Sequence, residues 1–298
     1  MVQPASRAQV RLGGATVTFL PDGHARVVPT AVFPASAPTG WATHSEFLDA
    51  DGRLPISIGS FLVRTGDRVI LVDLGLGEVD FEVPDLASFK GGTLLRSLAA
   101  EGLAPEDVDT VVYTHLHHDH VGWTTDVAPG PTLPEGSAPS GLTFPNARHL
   151  VAEAEWKHWT GTAEIIGPDP VAVQGPLAGR VEFVEDGQDI APGIRVRATP
   201  GHTPGHQSLV VTRPGDDRRL VILGDVMHCQ VQVAESDWGF VFDDAPAEAA
   251  ATRESLLSEL EDERTLLAGG HFAGHVFGRV LPPVARRAWS SAAQGRVA

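Results

Sequence analysis

The chain of 298 residues is poor in reactive and aromatic side chains, with one cysteine, one tyrosine and two methionines. Because Cys229 is its only thiol, the chain can form neither an internal disulfide nor a cysteine-rich zinc site. No apolar run approaches the ~20 residues that a membrane-spanning helix needs, and the N-terminus lacks the basic start and apolar core of a secretory signal. The sequence therefore predicts a cytoplasmic protein without a membrane partner.

Positive charge is also scarce, because 22 Lys and Arg residues stand against 38 Asp and Glu residues, a formal net charge of −16. A surface of that sign repels phosphate backbones and anionic lipids. Many of the acids lie at 243–263, where they are interpreted mostly as the solvated face of a helix. Nucleic acid is therefore not expected as a partner, and a small-molecule substrate is.

Short apolar runs separated by turn residues predict many strands with helices between them. The runs 59–64 and 68–73 predict a hairpin. Further strands are predicted at 15–20, 110–114, 148–151, 180–184, 194–198, 208–212, 220–223 and 264–268. Helices are predicted at 94–100, 152–159 and 247–261. This order favours an α/β sandwich in which sheets pack between helical layers.

The chain shows no linker between compact halves and no fixed-period repeat, so one domain over 1–298 is expected. Its parts would be an N-terminal extension and loop at 1–58, a core at 59–280 and a C-terminal tail at 281–298. Two segments are rich in proline and lack periodicity, 30–55 and 128–141. We expect them to shape a pocket rim or a dimer contact, so a homodimer stays open.

Histidine is abundant, and the densest group directly follows the predicted strand 110–114. Side chains alternate along an extended backbone, so His115 and His117 can face the same point. Asp119 and His120 follow as the chain turns and can face a second point, which suits two metals ~3.5–4 Å apart. His118 is out of phase and is expected to pack or to support a ligand. A solvated histidine-rich turn without metal is the alternative.

Four side chains cannot fill two metal sites, and three more candidates lie downstream at strand ends. His202 lies in a Thr-Pro-Gly-His turn, where glycine allows close backbone approach. Asp225 ends an apolar strand, and its carboxylate could bridge two cations. His271 follows the predicted strand 264–268. Imidazole and carboxylate ligands suit zinc, manganese or iron.

These motifs in combination resemble the metallo-β-lactamase superfamily over about residues 59–280. The resemblance implies an αββα sandwich with two mixed β-sheets and a centre of two divalent ions, most simply zinc, with manganese, iron or cobalt as alternatives. The implied ligands are His115, His117 and His202 for the first metal, Asp119, His120 and His271 for the second, and Asp225 as the bridge. Asp73, in Val-Asp-Leu-Gly, would orient a ligand imidazole; a plain turn cap is the alternative.

Further runs, at 119–123, 144–148 and 201–208, resemble the N-acyl homoserine lactone lactonases and the related methyl parathion hydrolase group. Those lactonases carry a tyrosine three residues after the bridging aspartate, and this chain has His228 there. The run 224–228 resembles the organophosphate and ester hydrolases more closely. His228 is expected to stabilise a developing oxyanion, with a packed rim residue as the alternative.

The resemblance implies a hydrolase in which a hydroxide bridging two metals attacks a small ester, lactone or organophosphate. Asp119 would pass the proton to the leaving group. A thioesterase like glyoxalase II and a β-lactam hydrolase are alternatives, although the sequence offers no basic patch for glutathione and no secretory signal. A catalytically inert metal-binding module is the alternative from another class.

Overall fold

The computed structural model describes residues 2–128, 136, 138–213 and 215–292. Its strands are β1 (Ala8–Leu12), β2 (Ala15–Val27), β3 (Leu54–Thr65), β4 (Arg68–Val72), β5 (Asp80–Val83), β6 (Ala87–Lys90), β7 (Thr110–Val112), β8 (Arg148–Ala152), β9 (Val181–Val184), β10 (Asp189–Ala191), β11 (Ile194–Ala198), β12 (Gln207–Arg213), β13 (Asp216–Ile222), β14 (Thr265–Ala268), β15 (Phe277–Leu281) and β16 (Ala288–Ser291). Its helices are α1 (Pro29–Val32), α2 (Pro38–Ala42), α3 (Leu94–Ala100), α4 (Glu153–Trp159), α5 (Gly175–Leu177) and α6 (Pro246–Leu260). No helix among these described residues has the length and apolarity to cross a membrane.

The strands form two mixed sheets. The first has the order β5-β6-β2-β3-β4-β7-β8-β9. The long strand β2 pairs with β1 near its start and with β6 near its end, both on the edge opposite β3. Its pairs from β4 to β9 are parallel and the others are antiparallel. The second runs in chain order from β10 to β16, and its one parallel pair among the described strands is β13 with β14.

Both sheets are buried on two faces. In the first, Ile70 and Val72 of β4 face the core between the sheets, while Leu71 packs outward with Leu94 and Leu98 of α3. A strand buried on both faces needs a continuous apolar run rather than an alternating one. This explains why strands such as β4 are visible in the sequence as unbroken apolar stretches.

The second sheet follows the same rule. Leu220 and Ile222 of β13 face the core between the sheets, and Val221 packs outward against Leu257 of α6. Helices therefore cover the outer face of each sheet, which confirms the predicted αββα sandwich with two mixed sheets.

Strands continue past the predicted core at both ends. Residues 8–27, assigned to an extension, form β1 and β2, and β2 pairs with β3 along its whole length. The assigned tail contributes β16, which pairs with β15. The segment 30–55 holds α1, α2 and a turn of 3-10 helix, whereas most of the loop 128–141 lies outside the described residues. A single domain over the whole chain stays a prediction.

Candidate metal centre

Four loops meet at one edge of the sandwich and carry the seven predicted ligands. They follow β7, connect β11 to β12, and follow β13 and β14. The strands β13 and β14 are parallel, so their carboxyl ends open on the same side. The glycines of the β11–β12 loop allow this convergence: a Cβ on Gly205 would lie 2.1 Å from the backbone nitrogen of Glu155 in α4.

The ligand atoms form two groups, and within each group they lie within 4.8 Å of one another. The first group is His115, His117, His202 and Asp225, and the second is Asp119, His120 and His271. Asp119 is half-buried and the other six are buried. The structure thus brings all seven side chains together, in two groups that correspond to the ligand sets implied by the family resemblance.

The carboxylate of Asp225 lies between the two groups. Its Oδ1 is 3.3 Å from His120 Nε2 and 3.1 Å from His271 Nε2. Its Oδ2 is 3.5 Å from His202 Nε2 and 3.7 Å from His115 Nε2. One carboxylate therefore reaches both groups, as a bridging ligand must.

Hydrogen bonds on the outer side of the imidazoles determine which ring nitrogen faces the centre. His271 Nδ1 donates to the carbonyl of Ser57 at 2.8 Å, and His202 Nδ1 donates to Asp243 Oδ1 at 2.9 Å. In its neutral form each imidazole has a single N–H, so its Nε2 then carries a lone pair. These lone pairs point to the space between the groups.

Asp73 holds two of the predicted ligands that follow β7, His115 through Thr114 and His120 directly. Its carboxylate accepts hydrogen bonds from Thr114 N at 2.7 Å, Thr114 Oγ1 at 2.8 Å and His120 Nδ1 at 2.9 Å. The Thr114 hydroxyl, having donated to Asp73, accepts from His115 Nδ1 at 3.0 Å. Asp73 has a φ of 61°, a left-handed conformation that non-glycine residues rarely adopt. Contacts on both of its carboxylate oxygens accompany this conformation.

Several polar atoms of the centre fit a bound cation better than they fit one another. Buried His115 Nε2 and Asp225 Oδ1 have no hydrogen-bond partner among the described residues. His117 Nδ1 faces His202 Nε2 at 3.0 Å, and His120 Nε2 faces His271 Nε2 at 3.2 Å. Buried acceptors without donors are costly. Each facing pair of ring nitrogens can form a hydrogen bond only if one of the two carries a proton, whereas a divalent cation in each group would be bound by both. The residues therefore fit a pair of metal ions.

Electrostatics favour neutral imidazoles at His115 and His117 and a charged carboxylate at Asp225, the states that metal binding requires. They favour a proton on His120, which a metal ion would displace. Burial, together with neighbouring imidazoles, lowers the pKa of His115 and His117 well below the usual range. Burial by itself favours a neutral Asp225, but the surrounding imidazoles outweigh it and hold the pKa of that carboxyl well below its usual range. Burial likewise opposes protonation of His120, yet the carboxylates of Asp225 and Asp73 raise its pKa. Negative charge at the shared carboxylate thus attracts positive charge into the centre.

Several supports of the centre were not identified in the sequence. Asp243 is buried and holds His202, so the interpretation of the acids at 243–263 mostly as a solvated helical face was wrong for Asp243. Arg253 of α6 is fully buried as well. His206 Nε2 accepts the backbone N–H of Asp225 at 2.8 Å, and burial lowers the pKa of His206 to about 3. Its place in the second Pro-Gly-His of the turn was the available signal.

Glu155 of α4 is a further support that the sequence did not reveal. Its Oε1 accepts hydrogen bonds from Leu116 N at 2.9 Å and Trp159 Nε1 at 2.8 Å. Its Oε2 accepts from Thr203 Oγ1 at 2.6 Å and Gly205 N at 3.1 Å. Glu155 is fully buried. One carboxylate therefore joins the His115–His117 loop to the His202 loop.

His228 lies beside the first group. Its Nε2 is 3.2 Å from Asp225 Oδ2, but neither ring nitrogen has a partner in hydrogen-bond geometry among the described residues. The ring stacks on Phe240 with centroids 3.6 Å apart, and its backbone N–H donates to Gln232 Oε1 at 2.6 Å. Burial lowers the pKa of His228 to about 4. The imidazole is thus neutral, fixed in place and free to bond a further group.

An apolar cavity of about 240 Å³ opens over the two groups. Its floor includes Asp119, Asp225 and His271. Its walls are apolar side chains of β2, β3, the β5–β6 hairpin, residues 165–166 and the aromatic pair Phe240 and Phe242. The described residues that line it include no lysine or arginine. The cavity therefore suits a small molecule with an apolar part.

Residues 55–271 match the metallo-beta-lactamase superfamily. An N-acyl homoserine lactonase of a Bacillus species is 28% identical over 170 residues, which cover 53% of this chain and 59% of the lactonase. Among solved structures, the fold is similar to AidC, a dizinc quorum-quenching lactonase, with a TM-score of 0.82 and 21% identity over 97% of this chain and 98% of that one. The hydrolase AbOPH of the beta-lactamase superfamily gives a TM-score of 0.75 and 26% identity over the same shares.

The match to the family covers well over half of the chain and includes all seven residues of the two groups. The chain therefore belongs to the metallo-β-lactamase superfamily, as its motifs predicted. It spans 59% of the length of the Bacillus lactonase.

Proposed function

We propose that the chain is a metal-dependent hydrolase that binds two divalent cations, most simply zinc, and acts on a small neutral ester, lactone or organophosphate. The observation that carries this proposal is the position of Asp225, whose carboxylate lies between two groups of ligand atoms and reaches both of them beside an apolar cavity. The family membership and the names of the relatives support a hydrolase.

In this proposal the first group, His115, His117 and His202, holds one cation, and the second group, Asp119, His120 and His271, holds the other. Asp225 belongs to both. Two such cations, when bound, lower the pKa of water towards neutrality and polarise a substrate oxygen. Manganese, iron and cobalt accept the same imidazole and carboxylate ligands, so the metal is a matter for measurement.

Two side chains are proposed to act on the substrate. Asp119 is half-buried and lines the cavity, so its carboxylate can accept a proton and pass it to the leaving group. His228 also lines the cavity and holds ring nitrogens that no described residue engages. Its N–H is proposed to donate a hydrogen bond to the oxyanion that forms as the substrate is attacked.

The charge of the cavity supports a neutral substrate over the alternatives. A β-lactam carries a carboxylate, and a glutathione thioester carries carboxylates on its peptide part. Such substrates need cationic side chains near the centre, and none of the described lining residues is lysine or arginine. Lactones, esters and phosphotriesters have no such charge, and their apolar substituents can occupy the walls of the cavity.

Elemental analysis together with a substrate panel tests the proposal. We expect about two metal equivalents per chain, because seven ligands with one bridge suit two ions. Lactones, aryl esters, phosphotriesters and β-lactams would then be assayed with the metal-loaded protein. A sample that retains at most one tightly bound ion contradicts the dinuclear centre. Two bound ions without hydrolysis of any compound would favour the inert binding module.

Asp225→Ala tests the shared carboxylate directly. The substitution should abolish hydrolysis and lower metal content while the sandwich stays folded. Asp217→Ala is the matched control, since Asp217 is an exposed aspartate on β13, the strand that leads to Asp225. Activity of Asp225→Ala within a few fold of the wild type would contradict the bridging role.

A further inference from the structure

Arg253 is a charged side chain with no exposed surface, on the helix α6 that covers the second sheet. Arginine is almost never fully buried unless it is paired. Its Nε donates to the carbonyl of Val226 at 2.9 Å and its Nη1 donates to the carbonyl of Ser236 at 2.9 Å. Its Nη2 lies 3.5 Å from Asp243 Oδ2. The guanidinium therefore joins three points of the segment that connects β13 to α6.

Asp243 connects this cation to a predicted metal ligand. Its Oδ1 accepts the hydrogen bond from His202 Nδ1 at 2.9 Å, and its Oδ2 accepts the backbone N–H of Phe240 at 3.0 Å. The side chains of Asp243 and Arg253 are almost completely buried. A buried carboxylate with no cation nearby is costly, so Arg253 stabilises the charge that holds His202.

The Nε of the guanidinium contacts the loop that carries Asp225. Val226, whose carbonyl accepts from Arg253 Nε, directly follows Asp225 in the chain. The backbone N–H of Asp225 is held in turn by His206. The loop that carries the shared carboxylate is thus attached to α6 on one side and to the β11–β12 loop on the other.

We propose that Arg253 is a positioning residue of the metal centre, which sets its affinity for the cation held by His115, His117 and His202. It acts through Asp243 on the orientation of His202 and through Val226 on the position of Asp225. Without the guanidinium, Asp243 would move towards water and release His202 Nδ1. This proposal rests on the proposed function, since it requires that the two groups bind cations.

The experiment compares the zinc affinity of the folded protein with that of Arg253→Met, by competition with a chelator. We expect the affinity of one of two bound zinc ions to fall 10–100-fold, the effect typical of losing an outer support of a metal ligand. The absorption spectrum of the Co²⁺-loaded variant should change as well, because the imidazole of His202 would be reoriented. Arg287→Met is the matched control. Arg287 pairs with Glu254 and Glu261 at the surface of α6 and does not touch the centre.

Two further variants separate positioning from a general loss of structure. Arg253→Lys keeps the charge but not the three-point contact, so it should lose less zinc affinity than Arg253→Met. It also provides a folded variant for the measurement if Arg253→Met does not fold. In an Asp243→Asn background, Arg253→Met should have much less effect on affinity than in the wild type. An equally large loss in both backgrounds would overturn the proposed action through Asp243.

The outcomes for the inference and for the proposed function are distinct. If the wild-type protein binds no zinc, both are overturned. If the wild type binds two zinc ions and both Arg253 variants bind them within twofold of its affinity, only the role of Arg253 is overturned. Weaker binding of one of the two zinc ions by Arg253→Met, with the zinc affinity of Arg287→Met unchanged, supports the proposal.

Discussion

Replacing Glu155 by glutamine removes one acceptor from a carboxylate that serves four donors. In the wild type, Oε1 accepts two N–H groups and Oε2 accepts one N–H and the Thr203 hydroxyl. A hydroxyl can rotate to accept, but an N–H cannot. The amide nitrogen of Glu155→Gln would therefore face Thr203 and Gly205, and leave the N–H of Gly205 without a partner.

The size of the effect follows from this geometry. A buried donor left unsatisfied costs about 1–3 kcal/mol, and hydrogen bonds to a neutral oxygen are each weaker by about 1 kcal/mol than bonds to a carboxylate. The neutral amide is easier to bury, which offsets part of the loss. We expect the free energy of unfolding to fall by about 2–4 kcal/mol, a large share of the ~5–15 kcal/mol typical of a domain.

Urea unfolding of the metal-loaded and chelator-treated proteins measures this loss. Because Glu155 joins two ligand-bearing loops, the loss should be accompanied by weaker zinc binding. Glu153→Gln is the matched control on the same helix, since Glu153 is exposed and pairs with Lys157 at the surface; it should stay within about 0.5 kcal/mol of the wild type. A free energy of unfolding for Glu155→Gln within that same range would refute the reasoning.

Two further predictions concern the cavity, and a third concerns the buried His149. His228→Ala should lower turnover by ~10²–10³ at unchanged metal content, the scale for losing one oxyanion donor; unchanged turnover with both metals bound would end the catalytic role. Ala87→Phe fills part of the cavity that Ala87 lines, so KM should rise for esters with long apolar chains and stay the same for short ones. An equal rise in KM for long and short esters would contradict the proposal that the apolar part of the substrate occupies this cavity. Burial lowers the pKa of His149 to about 4, below the ~6.5 of a histidine in the unfolded chain, so its neutral form contributes stability above pH ~6.5 that is lost as the pH falls towards 4. The unfolding free energy of His149→Gln, relative to the wild type, should therefore increase by about 3 kcal/mol across that window, and denaturant titrations at several pH values that show a constant difference would contradict this.

Much of the metal centre could be predicted from the sequence because its ligands occupy short, local patterns. His115, His117 and His120 lie close together in the loop that follows β7, and Asp225 and His271 each follow an apolar run. The seven predicted side chains do form two groups in the structure. Whether they bind metal, and which one, stays a proposal.

The short strands at the sheet edges could not be predicted in the same way. The hairpin of β5 and β6 is only partly buried, so its residues carry little of the apolar signal that marks β4 or β13. Its strand character comes from pairing with the end of β2, far away in the chain. The edge strand β16 is similar, because it exists through its pairing with β15.

The sequence by itself determined the αββα class and the residues that gather at the centre, since strand-forming runs and ligand spacing are properties of neighbouring residues. Only the tertiary structure decided how those ligands are held. Glu155, Asp243 and Arg253 look like ordinary helix or surface charges in the sequence, yet each is buried against a loop that lies tens of residues away. Burial and partner choice depend on which distant segments pack together, and no local pattern records that.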